Sequence, residues 1–142
     1  MKNIIITKNL DEKVVHANSD QLVAKVNNAS PEELILILYQ SCEQYIQQGI
    51  DFVEQKNYEQ ANIYIQKAER IILELRCTLN HKYEIAEQLD KLYAYMYDKL
   101  VQGNIKSNIE DLTTILNIVK ELREAWESAM ESLKSKLQTN NK

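Results

Sequence analysis

Residues 30–39 read Ser-Pro-Glu-Glu-Leu-Ile-Leu-Ile-Leu-Tyr and combine a helix start with an unusual run of apolar side chains. Ser30 is a good N-cap, because its hydroxyl can accept a hydrogen bond from a first-turn N–H group. Pro31 suits the first helical position, where its missing N–H costs nothing, and Glu33 completes a capping box. This stretch therefore predicts a long helix that begins after Ser30.

Three more helices are predicted downstream, because apolar residues keep recurring in steps of three and four. We expect Asn57 to cap the second helix, Gly103 to end the third in a left-handed conformation, and Ser107 to cap the fourth. The apolar stripe of the fourth helix consists of Ile109, Leu112, Leu116, Val119, Trp126, Met130 and Leu133.

Short links between long helices require the helices to run antiparallel, since a few residues cannot carry the chain back to the far end. The predicted fold class is all-α, an antiparallel up-and-down four-helix bundle with a flexible or short-helical N-terminal leader. The expected divisions are a leader over residues 1–29, the bundle over residues 30–137 and a frayed tail over residues 138–142.

Composition excludes several classes of protein. The chain of 142 residues has 2 Gly and 1 Pro, too few for a turn-rich β fold or a glycine-rich phosphate loop. Its net charge of −4 is atypical of nucleic-acid binders, and its apolar runs are far shorter than the ~18–20 residues that span a bilayer. The N-terminus lacks a signal-peptide core. We expect a cytoplasmic protein of the cytosol, with no nucleic-acid partner and no stable membrane insertion.

Residue types that carry out catalysis or bind metals are scarce. His16 and His81 have no second His or Cys at ligand spacing, which argues against a zinc site. Cys42 and Cys77 form no close pair and are predicted to be buried thiols. The sequence therefore predicts no catalytic residues, no metal site and no cofactor, and the protein is not expected to be an enzyme.

Apolar residues exceed what one core face can use. The six positions from Leu34 to Tyr39 are all apolar and point in every direction around a helix. Residues 92–97, Leu-Tyr-Ala-Tyr-Met-Tyr, repeat this excess, with Tyr93 and Tyr97 beside the core stripe. The cover could be the leader or a fifth helix, a second copy of the chain, or an amphipathic segment of another protein.

Several motifs, in order along the chain, resemble those of the flagellar secretion chaperones of the FliS family. Residues 29–34, Ala-Ser-Pro-Glu-Glu-Leu, followed by Leu38-Tyr39, resemble the family's Ala-Ser-Pro-x-Glu-Leu…Leu-Tyr signature. Residues 65–68 and 72–76 resemble its second-helix segment. Residues 92–97, followed by Leu100 and Asn104, resemble its Leu-Tyr-x-Tyr-Met…Leu…Ala-Asn segment. Residues 122–126, Leu-Arg-Glu-Ala-Trp, resemble its closing Leu-Arg-x-Ala-Trp motif.

The resemblance implies a cytosolic export chaperone that binds the disordered C-terminal segment of flagellin, prevents premature polymerisation and delivers flagellin to the flagellar type III export apparatus. The implied partners are this segment and the flagellar export gate, with other flagellar regulators as further partners. The candidate flagellin-binding residues carried over from the motifs are Leu34, Ile37, Leu38, Tyr39, Tyr93, Tyr97, Leu100 and Asn104.

The N-terminal leader has an implied role of its own. In relatives this stretch can fold over the empty flagellin groove, which makes Leu22, Val23 and Val26 candidates for covering it here. This leader is longer than the family's and lacks its Tyr-rich start. The alternative hypothesis for the whole chain is a self-associating helical adaptor or scaffold without a flagellin ligand.

Overall fold

Four long helices make up nearly all of the computed structural model, which describes residues 27–140. They are α1 (Pro31–Glu54), α2 (Tyr58–Cys77), α3 (Glu84–Lys106) and α4 (Ile109–Asn140). The leader candidates Leu22, Val23 and Val26 lie outside the described residues. Since α4 extends to Asn140, the tail predicted from residue 138 begins within a helix.

The helices form a ring in which each packs against its neighbours in sequence. Helix α1 contacts α2 and α4, and α3 contacts the same two helices from the opposite corner. No β-strand occurs in the part of the chain that the structure describes. The prediction of an all-α antiparallel bundle is confirmed.

Two of the predicted helix starts are confirmed by their capping hydrogen bonds. The Ser30 hydroxyl accepts a hydrogen bond from the Glu33 N–H at 3.2 Å. The Asn57 side-chain oxygen accepts one from the Gln60 N–H at 3.3 Å. Each cap satisfies a backbone donor that the first turn of the helix leaves free.

The prediction for the turn between α3 and α4 is wrong in two respects. Gly103 lies inside α3, and Ser107 takes the left-handed conformation at a φ of 50°. The cap of α4 is Asn108, whose side-chain oxygen accepts from the Asp111 N–H at 3.2 Å. Packing explains why a glycine stands at 103, because a Cβ there would lie 3.0 Å from the Leu112 Cδ2.

Both tight links close in the same way. At the end of α1, Lys56 has a φ of 62°, and its N–H donates to the Val53 oxygen at 2.9 Å while Asn57 donates to the Phe52 oxygen at 2.8 Å. The equivalent pair after α3 runs from residues 107 and 108 to the oxygens of residues 104 and 103. These are Schellman motifs, in which a left-handed residue lets two free carbonyls find donors.

A single apolar core fills the ring. Gly49 permits the closest approach of α1 to α2, since a Cβ on it would lie 2.5 Å from the Ile65 Cγ1. The largest fully buried side chains are Leu38, Ile46, Ile65, Ile71, Ile72, Leu75, Met96, Leu100, Leu112, Ile115 and Val119.

Helix α4 is longer than its neighbours, with 32 residues against 24 in α1. The Trp126 indole N–H donates to the Glu32 backbone oxygen at 2.9 Å, which marks where α1 begins. Residues 131–139 beyond it are all exposed. The predicted core stripe is therefore wrong at both ends, because Ile109 is 38% exposed and Leu133 is 54% exposed.

Candidate functional site

The candidate residues fall into two groups by burial. Five belong to the core and are at most 4% exposed: Leu34, Leu38, Tyr39, Tyr93 and Leu100. Three are half-buried: Ile37, Tyr97 and Asn104. In this conformation the buried five are covered by the protein's own side chains, while the other three are partly accessible. The role of all eight in binding stays a prediction.

Tyr39 and Tyr93 form a polar contact inside the core. Their hydroxyl oxygens lie 2.5 Å apart and share a hydrogen bond between α1 and α3, the helices at opposite corners of the ring. Burial raises the pKa of both phenols, so both stay protonated over the usual pH range. One hydroxyl donates to the other, so a single buried hydrogen bond links α1 to α3.

Asn104 belongs to a polar edge between α2 and α3. Its side-chain N–H donates to the Asn62 oxygen at 2.7 Å, and it also hydrogen-bonds to Glu69. Burial raises the pKa of Glu69 to about 7, although the Asn104 hydrogen bond opposes this shift. The Glu69 Oε2 is buried without a hydrogen-bond partner. This edge therefore contains a carboxyl group that changes charge near neutral pH.

Ion pairs tie two pairs of adjacent helices, α2 to α3 and α4 to α1. The Arg76 Nε lies 2.8 Å from the Asp90 Oδ1 and ties α2 to α3. The Arg123 Nε lies 2.5 Å from the Glu43 Oε2 and ties α4 to α1, and Arg123 also pairs with Glu127 one turn along α4. The guanidinium of Arg76 lowers the pKa of Asp90 through their hydrogen bond. Both arginines are thus engaged within the chain.

Lys67 occupies an unusual position on α2. It is only 4% exposed, and its amine lies 4.6 Å from the ring centre of Tyr64 and 5.6 Å from that of Tyr45. Phe52 stacks on Tyr64 with ring centres 5.4 Å apart. Burial lowers the pKa of Lys67 to about 8. We call these four residues, Lys67, Tyr45, Tyr64 and Phe52, the Lys67 cluster.

Sequence reasoning missed the Lys67 cluster, because aromatic residues at helical spacing are usually core residues and a lysine on a helix is usually solvated. A signal was available in the spacing. Lys67 follows Tyr64 by three residues, which places both side chains on one face of α2.

Side chains of α1 line an open cleft of about 410 Å³. Its described lining residues are Gln40, Glu43, Gln44, Gln47 and Gln48. The Gln48 Oε1 is buried without a hydrogen-bond partner. These side chains end in amide and carboxylate groups, while their aliphatic stems supply most of the lining surface.

The most exposed large apolar side chains lie outside the predicted candidates. Those at least 45% exposed are Tyr58, Tyr83, Ile85, Tyr95, Ile105, Leu133 and Leu137. Most of them stand near helix ends, where periodicity cannot show that the neighbouring helix has stopped.

The cysteines differ in environment. Cys42 is buried, and burial raises the pKa of its thiol, so it is unreactive. Cys77 is exposed, which makes the prediction of a buried thiol wrong for that residue. Across residues 27–140, no group of three His, Cys, Asp or Glu side chains is arranged to hold a metal ion. No helix within that range is long and apolar enough to span a membrane.

Comparison with known proteins gives a consistent result. The family model of the flagellar protein FliS matches residues 14–133. The flagellar secretion chaperone FliS of Bacillus subtilis is 38% identical over 107 residues, which cover 75% of this chain and 80% of that protein. The FliSB chaperone of Pseudomonas aeruginosa is 31% identical over 106 residues, 73% of this chain and 84% of that protein. FliS of Vibrio cholerae is 28% identical over 106 residues, 73% and 78% of the two chains. The resemblance in the motifs is thereby confirmed, and the chain belongs to the FliS family of flagellar secretion chaperones.

Proposed function

We propose that this protein binds the disordered C-terminal segment of flagellin in the cytosol, prevents its premature polymerisation and delivers flagellin to the flagellar type III export apparatus. The observation that carries the proposal is membership of a flagellar secretion chaperone family over residues 14–133. Binding and release without catalysis is the expected mode of action, since the family is one of chaperones.

The ring of helices favours a wrapping mode of binding. A disordered segment that folds on binding needs a large, mostly apolar contact, about 2,000 Å² or more, to offset its ordering entropy. Of the reachable candidates, Ile37 lies on α1 and Tyr97 on α3, which occupy opposite corners of the ring. A single segment that contacts both must therefore pass around the bundle.

Calorimetric titration of the full chain with the flagellin C-terminal segment of the same organism tests the proposal. We expect a one-to-one complex, a gain in helicity and a large negative heat-capacity change from apolar burial. Absence of heat and of helicity gain at micromolar concentrations would reject flagellin as the ligand.

A pair of tyrosine variants separates contact from folding. Tyr97→Ala is expected to weaken binding by roughly 10-fold, since it removes a half-buried candidate side chain, while the chain stays folded at the titration temperature with a modestly lower melting temperature. Tyr83→Ala, at a residue 65% exposed outside the candidate set, is the matched control and should bind normally.

The self-associating scaffold remains the alternative, and one observation favours it. Leu133 and Leu137 are exposed one turn apart on the part of α4 that extends beyond α1. Light scattering separates the two functions. A stable dimer that the flagellin segment neither binds nor disrupts would support the scaffold.

A further inference from the structure

The Lys67 amine is a buried charge without a hydrogen-bond acceptor. In the described structure its Nζ has no partner, and no carboxylate forms a salt bridge with it. A buried ammonium group is normally paired, because an unpaired one loses its hydration without any compensating contact. The faces of Tyr45 and Tyr64 offset part of this cost through cation–π attraction but accept none of its three N–H bonds.

The charged groups elsewhere in the bundle behave differently. Arg76 and Arg123, which link helices at other edges, each have a carboxylate partner within 2.8 Å. Lys67 is the one charged side chain in the buried set of the described range. Lys67 therefore lacks the carboxylate partner that both arginines have.

We propose that Lys67 is an anchoring point for a carboxylate of the bound segment, which the amine meets by turning outward from the rings of Tyr45 and Tyr64. This inference rests on the proposed function, because the carboxylate belongs to the flagellin segment. A carboxylate supplies the acceptor that the amine lacks, and a charge-assisted hydrogen bond is strong where water is excluded. The flexible four-carbon stem of lysine lets the amine turn toward an arriving group.

The proposal predicts opposite effects on folding and on binding. Lys67→Met keeps a flexible apolar chain that packs well on aromatic rings but removes the charge. The free Lys67→Met chain is expected to melt at the same temperature as the wild type or higher. Its affinity for the flagellin segment is expected to fall about 10- to 100-fold, the range for a lost hydrogen bond to a charged group. Lys91→Met, at an exposed lysine of α3, is the matched control and should change neither.

Altered segments identify the source of the carboxylate. One segment carries a C-terminal amide in place of the free acid, and others carry single Asp→Asn or Glu→Gln changes. The segment that lacks the anchoring carboxylate should bind wild type and Lys67→Met with equal affinity. The removal of either partner abolishes the same contact, so the second removal has no further effect.

The outcomes distinguish this inference from the proposed function. If Lys67→Met binds the unmodified segment as tightly as the wild type does, Lys67 is a structural cation–π residue and the inference is wrong, while the chaperone function stands. If every altered segment loses the same affinity for both proteins, the inference is also wrong. If the wild type does not bind the segment at all, the proposed function fails and this inference with it.

Discussion

At the scale of single residues, polar groups in partly dry surroundings set the chemistry of this bundle. Lys67 and Glu69 lie two positions apart on α2 and face different flanks, the former toward α1 and the latter toward Asn104 of α3. Burial favours the neutral form of both, which lowers the pKa of the lysine and raises that of the glutamate. Each therefore makes stability depend on pH in its own window.

Glu69 should make the free energy of unfolding fall as the pH rises from 4.5 to 7. Its pKa is about 7 in the folded chain against 4.5 ordinarily, so over this interval the folded state holds a proton that the unfolded state has released. Glu69→Gln removes this titration. Its denaturation midpoint should equal that of the wild type near the lower limit and exceed it at pH 8.

The control for this experiment is Glu59→Gln, at an exposed glutamate of the same helix. The difference in denaturation midpoint between Glu59→Gln and the wild type should not grow between pH 4.5 and 8. A constant difference between Glu69→Gln and the wild type across the window would show that Glu69 titrates normally.

The sequence predicted interactions between residues close together in the chain, but it did not predict contacts between different helices. Ser30 and Asn57 were recognisable as caps because their partners lie three residues away in sequence. Gly103 was misassigned because its reason is Leu112 on the next helix. Lys67 was overlooked because its burial depends on aromatic rings of α1.

At the scale of helices and links, the turns use residues that are not ideal for their conformation. Lys56 and Ser107 both take positive φ, where an L side chain is crowded and glycine is not. The helix pairs they join pack closely through Gly49 and Gly103. The two glycines of the chain thus serve helix contact, and the turns do without them.

Ser107→Gly should stabilise the protein. Relief of the left-handed strain exceeds the added chain entropy by about 0.5–1 kcal/mol, with the Schellman hydrogen bonds unchanged. A higher urea midpoint with the same slope would show this gain.

The same change at Ser128, exposed within α4, should lower stability by about 0.5 kcal/mol because glycine is a poor helix former. If both variants lost stability equally, the left-handed conformation of residue 107 would be contradicted.

At the scale of the whole molecule, bundle architecture was predictable and its surface was not. Capping and periodicity predict four antiparallel helices from local sequence alone. Periodicity cannot distinguish a side chain covered by a neighbouring helix from one beyond that helix's end, as Leu133 shows with its exposure of 54%. For the same reason Leu34 and Leu38, buried here, could not be separated from a binding surface.

Removal of residues 131–142 should leave the bundle intact. Residues 131–139 are all exposed, so a chain that ends at Met130 should unfold within about 0.5 kcal/mol of the full chain in urea. A chain that ends at Ala125 also loses Trp126 and its hydrogen bond to Glu32, and should be less stable by about 2 kcal/mol or more. Equal losses from both truncations would show that the end of α4 packs against the bundle.

The Tyr39–Tyr93 contact limits what can enter the centre of this protein. Its oxygens meet at 2.5 Å across the middle of the ring and lack any other hydrogen-bond partner among the described residues. An apolar segment inserted between α1 and α3 would leave two buried hydroxyls without a hydrogen-bond partner, at a cost of about 1–3 kcal/mol for each. The hydrogen bond therefore opposes separation of α1 and α3. A ligand must bind on the outside of the bundle or supply its own hydrogen-bonding groups to the two hydroxyls.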